Sequence, residues 1–172
     1  MKTIYLLRHA KSSWDDPLLT DFDRPLNSRG RRACKAIRAR LAELEAPPQM
    51  VLCSTALRAE ETLQRILPAF SAAPPVGMER GLYLASARKL LARLHRLDDE
   101  IDTAMLLGHN PGLERLIGLL IGPAGSEARE PPEKFPTGAL AVLKTAESRW
   151  RDVKGGGARL VELWTPRDAP GD

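Results

Sequence analysis

The stretch Thr3-Ile4-Tyr5-Leu6-Leu7-Arg8-His9-Ala10 decides how this chain is read. Its first five residues carry no charge and are strand formers, which predicts a buried strand over 3–7. The apolar run then stops at Arg8-His9. The same pattern recurs twice. Residues 50–53 form a short apolar run that ends at Ser54 and leads to Arg58, and residues 103–107 form another that ends at Gly108-His109.

Helical spacing fills the intervals. Ala33, Ile37, Leu41 and Leu44 place one apolar face on a helix over 28–44, with Asn27 or Ser28 as cap and Pro47-Pro48 as stop. Further helices are expected over 56–67, 86–97 and 111–121, the last with proline in its first turn. Residues 11–26 lack a sustained period and contain Pro17 and Pro25, so they read as loop; 69–75 reads as a proline-rich link. Residues 122–136, rich in Gly, Pro and Glu, read as an exposed loop. Strands over 139–143 and 159–164, parted by a turn at Gly155-Gly156-Gly157, complete the pattern, and 166–172 is expected to be a loose tail.

Strands alternating with helices predict an α/β fold: a three-layer α/β/α sandwich whose sheet is mostly parallel, with one antiparallel strand, in a single domain over 1–172. In such sheets, sites form beyond the carboxyl ends of the strands. Arg8-His9, the segment from Ser54 to Arg58, and Gly108-His109 are therefore expected to converge on one sheet edge.

Composition narrows the function. At 172 residues, 43% apolar and 28% charged, the chain has enough material for a hydrophobic core. A net charge of +4 favours anionic partners, but no dense basic run with interleaved aromatics points to nucleic acid. Cys34 and Cys53 form no CxxC pair and no zinc spacing; they read as small core residues, which suits a reducing, cytoplasmic setting. No stretch of about 20 apolar residues predicts a membrane span, and Arg8 interrupts the N-terminal run too early for a signal peptide.

The converging segments carry two histidines and two arginines. A neutral imidazole, with an unperturbed pKa of ~6.5, can attack phosphorus. Charge in phosphoryl transfer spreads over three equatorial oxygens, which fixed donors must surround. Arginine suits this role because its planar fork gives two hydrogen bonds and stays charged. A second histidine adds another donor.

Leu7-Arg8-His9-Ala10 resembles the Arg-His-Gly motif of the histidine phosphatase superfamily, which includes the phosphoglycerate mutases, with alanine in the third place. The segment from Ser54 to Thr62 resembles that family's second signature, and Gly108-His109-Asn110-Pro111 its third. Short length, Asp23-Arg24-Pro25-Leu26-Asn27 and Phe135-Pro136-Thr137 resemble the SixA branch, the phosphohistidine phosphatases. The resemblance implies that His9 accepts the phosphoryl group and that Arg8, Arg58 and His109 bind its oxygens, with Arg24 as a further phosphate or substrate contact. It implies no metal and no cofactor. The implied partner is a phosphorylated protein of the histidine-phosphotransfer type, or else a small phosphorylated metabolite. A non-catalytic phosphoprotein-binding module is the reading of another class.

One departure bears on substrate. Many superfamily members place an acidic proton donor after the third strand-like segment, whereas the region from Met78 to Ser86 offers only Glu79. An alkoxide leaving group, near water's pKa of ~15.7, needs a proton in flight, while an imidazole of ~6.5 can leave neutral. The missing acid points to P–N bonds. The remaining polar and aromatic residues have ordinary readings. His95 reads as a boundary residue, and Arg31, Arg32, Arg38 and Arg40 as a solvated helix face. Ser54 and Thr55 read as caps or phosphate contacts, and Glu60 and Glu61 as first-turn acids. Trp14 lines the entrance or packs; Trp150 and Trp164 pack.

Overall fold

The structure is a computed structural model that describes residues 1–122 and 132–168. The expected apolar runs form strands β1 (Lys2–Arg8), β2 (Met50–Ser54), β4 (Thr103–Gly108), β5 (Leu140–Thr145) and β6 (Ala158–Trp164). A further strand, β3 (Val76–Glu79), is not legible as one in the sequence. It is short, half-exposed and interrupted by Gly77, and it pairs on one side only, with β2. The sheet order is β3-β2-β4-β1-β5-β6. Neighbours among β1 to β4 run parallel, while β5 is antiparallel to both β1 and β6 and is the one reversed strand.

Helices α1 (Ser28–Ala42) and α2 (Leu57–Ile66) cover one face, and α3 (Ala87–Leu94) and α4 (Gly112–Ile121) the other. Alternation along β1 shows why. Ile4 and Leu6 enter a core with Leu90, Leu94, Leu113 and Leu116, while Tyr5 and Leu7 enter one with Cys34, Ile37, Leu63 and Ile66. Both faces are buried, so the strands read as continuous apolar runs rather than alternating ones. Each fully buried leucine contributes roughly 1.5–3 kcal/mol. Strand β1 begins one residue before the expected run, at Lys2. The buried Lys2 ammonium donates to the carbonyls of Asp99 (2.5 Å) and Ile101 (2.9 Å) and to Asp102 Oδ1 (2.9 Å).

Asn27 caps α1, accepting the Gly30 N–H at 2.8 Å. The expected loop over 11–26 contains a 3-10 turn at Asp21–Asp23. It is stitched to the start of α1, where the Lys11 carbonyl accepts the Asn27 N–H at 3.0 Å. Of the expected loop at 122–136, residues 123–131 lie outside the described residues. The expected tail begins with a 3-10 turn, Pro166–Asp168, and residues 169–172 lie outside the described residues.

A methyl at Gly30 would stand 2.1 Å from the Lys11 carbonyl oxygen, so helix and loop meet there only because Gly30 has no side chain. Gly30→Ala should lower unfolding free energy by about 2 kcal/mol or more. Gly118 is also helical, and a methyl placed there would meet nothing within 4 Å, so Gly118→Ala should raise it by about 0.5–1 kcal/mol. Denaturant midpoints at unchanged slope check both.

Candidate active site

Parallel pairing of β1 with β4 sets Arg8 opposite Gly108, so the residues that follow, His9 and His109, leave the sheet side by side. Their ring centroids are 5.1 Å apart. Strand β2 flanks β4 on its other side and delivers Ser54, whose Oγ lies 2.7 Å from His109 Nε2. Arg58, in the first turn of α2, reaches back with its Nε 3.3 Å from His9 Nε2. The expected convergence is thus present. Arg24 arrives from the loop after β1. Arg8, His9, Arg24, Arg58 and His109 line a cleft of about 420 Å³, with Lys11, Ser12, Trp14, Asp21 and Leu84 also on its wall, and Ser54 lies buried behind His109.

The tautomer of His9 is set by its neighbour. Its Nδ1 lies 2.7 Å from the Ala10 carbonyl, which can only accept, so Nδ1 carries the proton and Nε2 keeps its lone pair. The ring is buried. Burial pushes its pKa down to about 3, against the Ala10 hydrogen bond, and the positive neighbours Arg58 and Arg8 add to the fall. Burial, then Arg58, pushes His109 down to about 4. Both imidazoles are thus neutral near pH 7.

Asp21 organises the cations. Arg24 donates to its Oδ1 from Nε (3.1 Å) and from a terminal nitrogen (2.9 Å). Arg58 donates to Oδ2 at 3.0 Å and to the Asp21 carbonyl, and the Tyr83 hydroxyl donates to Oδ2 as well. Desolvation opposes ionisation, but hydrogen bonds from Tyr83, Arg24 and Arg58 outweigh it and hold the carboxyl well below the usual carboxylate range. Arg24 also donates to Ser12 Oγ at 2.6 Å, and the Trp14 indole stacks on its guanidinium at 3.5 Å.

Arg8 donates to the Phe135 carbonyl at 3.0 Å, and the Asn110 amide donates to the same oxygen at 2.8 Å. Glu114 holds that segment from below by accepting the Phe135 N–H at 3.1 Å. Arg8 Nε and His109 Nδ1 are buried without a hydrogen-bond partner. Both residues line a cleft whose wall carries four cations, Arg8, Lys11, Arg24 and Arg58, against one carboxylate, Asp21, among the described residues, a balance that favours an incoming oxyanion.

Two residues of the site are not evident from the sequence. Asp21 and Tyr83 carry the arginine geometry, yet Asp21 sits in a polar, acid-rich loop that resembles any solvated one. Its spacing of three before Arg24 is the available signal, and Tyr83 offers none. Glu61 accepts the Leu26 N–H at 2.6 Å and so anchors the loop that carries Arg24. Trp14 is at the entrance and 74% exposed, whereas Trp150 is fully buried. Arg40 is not merely solvated: it is paired with Glu162 through two hydrogen bonds. His95 caps α3 at a half-buried position, with Nε2 2.7 Å from the Val153 carbonyl. Glu79 lies at the end of β3 with its carboxylate bound by Arg93 at 2.7–2.9 Å, away from the cleft lining.

The chain is similar to known proteins over most of its length. The family described as the histidine phosphatase superfamily (branch 1) matches residues 4–82. An uncharacterized protein of Mycobacterium tuberculosis (strain ATCC 25618 / H37Rv) is 36% identical over 168 residues, covering 94% of this chain and 100% of that one. Among solved structures, a candidate phosphohistidine phosphatase SixA from Agrobacterium tumefaciens is 31% identical with a TM-score of 0.78, covering 96% of this chain and 98% of that one. Its counterpart from Nakamurella multipartitia is 27% identical with a TM-score of 0.84, covering 96% of each chain. The chain belongs to the histidine phosphatase superfamily, in its SixA-type branch.

Proposed function

We propose that this phosphatase hydrolyses phosphohistidine on a protein, with His9 as the acceptor of the phosphoryl group. The observation that carries the substrate class is the state of the cleft's acids. Among the described residues lining it, Asp21 is the one carboxylate, and hydrogen bonds from three residues, Tyr83, Arg24 and Arg58, keep it ionised. Glu79 is tied to Arg93. Among the described residues, nothing there is held as a carboxylic acid ready to protonate an alkoxide.

A phosphohistidine needs no such acid. His9 Nε2 attacks phosphorus and forms a new P–N bond as the substrate's P–N bond breaks. The bonding pair returns to the substrate ring, whose other nitrogen already carries a proton, so it leaves as neutral imidazole. Phospho-His9, protonated on Nδ1 beside the Ala10 carbonyl, is the same kind of leaving group when water attacks in the second step. Arg8, Arg58 and Arg24 stabilise the three phosphoryl oxygens. Ser54 Oγ accepts the Ala56 N–H at 3.2 Å, so its own proton is free to go to His109 Nε2. His109 Nδ1–H is then directed at phosphate. Phosphate must displace Asp21 from part of the arginine pair, which sets the resting state against weakly bound anions. Trp14 and Leu84, 74% and 53% exposed on the cleft wall, suit a phosphoryl group displayed on a protein surface.

The deciding assay compares a phosphohistidine protein with a panel of phosphate monoesters, for wild type and His9→Ala. Wild type should favour phosphohistidine, and His9→Ala should lower turnover at least ~10³-fold. Faster turnover of an unactivated sugar phosphate would move the assignment to a metabolite phosphatase. Phosphohistidine binding without turnover by wild type would make the chain a binding module.

Depressed histidine pKa values also set a pH dependence. His9 at about 3 and His109 at about 4 lie below the unfolded value of ~6.5, so between these limits the unfolded chain binds more protons. The contribution is present above pH ~6.5 and is lost as pH falls towards ~4. In phosphate-free buffer, unfolding free energy should decline across that interval, and less steeply in His9→Ala. Parallel pH profiles for the two proteins would contradict neutral burial of His9.

A further inference from the structure

A second groove, about 450 Å³ and lined by Arg31, Lys35, Arg38 and Arg65 with Cys34 and Pro68, lies between α1 and α2. No carboxylate lines it among the described residues. Arg31, Lys35 and Arg38 follow at four and three residues on α1, so they form one stripe on one helix face, spanning ~10 Å. Five arginines elsewhere are ion-paired, Arg24 and Arg58 with Asp21, Arg40 with Glu162, Arg93 with Glu79 and Arg149 with Asp152, whereas single exposed ones such as Arg29, Arg88 and Arg96 form no ion pair among the described residues. The four groove cations form no such pair among the described residues. The nearby Glu61 is committed to the Leu26 N–H. Like charges at these helical spacings cost stability, and an anionic occupant would reverse the sign.

Among the described residues none lines both the groove and the cleft, but chain neighbours connect them. Lys11 lines the cleft, and its carbonyl lies against Gly30, the residue before Arg31. Arg31 itself donates to the Leu26 carbonyl at 2.8 Å, at the base of the loop that carries Arg24. Both helices start at the carboxyl edge of the sheet, so the stripe runs from the cleft's rim down the flank.

We propose that this groove docks an acidic segment of the phosphoprotein substrate while the phosphohistidine enters the cleft. The inference rests on the phosphohistidine reading above and adds a charge requirement for the substrate's flank. The occupant is identified by complementarity: several carboxylates in extended or helical spacing meet four cations that form no ion pair among the described residues.

The test uses two synthetic phosphohistidine peptides that differ only in a flank of about ten residues, all Glu or all Gln, which reaches ~33 Å when extended. Wild type should show a KM ~10-fold lower for the Glu peptide at low salt, with the gap closing as salt is raised. The variant Lys35→Glu/Arg38→Glu/Arg65→Glu should lose the preference and keep wild-type turnover of phosphoramidate, which reports that fold and cleft are intact. The neutral variant Lys35→Gln/Arg38→Gln/Arg65→Gln should fall between them. Equal KM values in wild type, or a preference that survives the triple reversal, would overturn the proposal. Tighter binding of a single-stranded oligonucleotide than of the Glu peptide, lost in the triple variant, would also overturn it by giving the groove to nucleic acid. A folded wild type that turns over neither peptide nor phosphoramidate fails at His9 rather than at the groove, and takes both readings with it.

Discussion

The hydrogen-bonded register between β1 and β4 is the constraint on which the site depends. Arg8 stands opposite Gly108 in a parallel ladder, so the next residue of each strand exits at the same height. A slip of one residue would turn His9 to the opposite face and separate it from His109. Burial on both faces forbids that slip. Ile4, Tyr5, Leu6 and Leu7 are all buried, and moving them would exchange the contents of two packed cores. The geometry of the cleft is therefore held by apolar packing of residues that do not line it.

Charge balance is the second constraint. Three arginines and a lysine around a half-enclosed cleft would repel one another without a counterion. Asp21 supplies one, accepting from Arg24, Arg58 and Tyr83. It orients both guanidinium groups before any phosphate arrives and leaves Arg8 Nε and His109 Nδ1 unpartnered. Burial acts on the histidines in the opposite sense, keeping both neutral. One pocket thus holds permanently charged donors beside uncharged imidazoles, because guanidinium keeps its proton under desolvation and imidazole does not.

The two features have one consequence for the proposed reaction. A carboxylate that neutralises arginines cannot also be a protonated acid at neutral pH. In this cleft Asp21 is spent on cation geometry, which leaves leaving-group protonation to the substrate. In the proposed reading the cleft and the flank groove divide the recognition of such a substrate between them, the phosphoryl group in one and its surroundings in the other.

Much of this is legible in the order of residues alone. Continuous apolar runs identify β1, β2, β4 and β5, because a strand buried on both faces has no polar alternation to obscure it; the edge strand β6 shows itself through apolar residues interleaved with Arg159 and Glu162. Strand ends mark Arg8-His9, Ser54 to Arg58 and Gly108-His109, because side chains beyond the carboxyl edge are released from core packing. Strand β3 escapes notice because an exposed edge strand of four residues carries too little apolar pattern. Asp21, Tyr83 and the Phe135 carbonyl escape because their roles lie in partners 37, 62 and 127 residues away, and no local period records a distant hydrogen bond. The sequence by itself determined which residue types stand at the ends of the central strands, through hydrophobic periodicity. Only the tertiary structure decided which charges meet, because electrostatic partners are chosen by proximity in space, and chain order is silent on that.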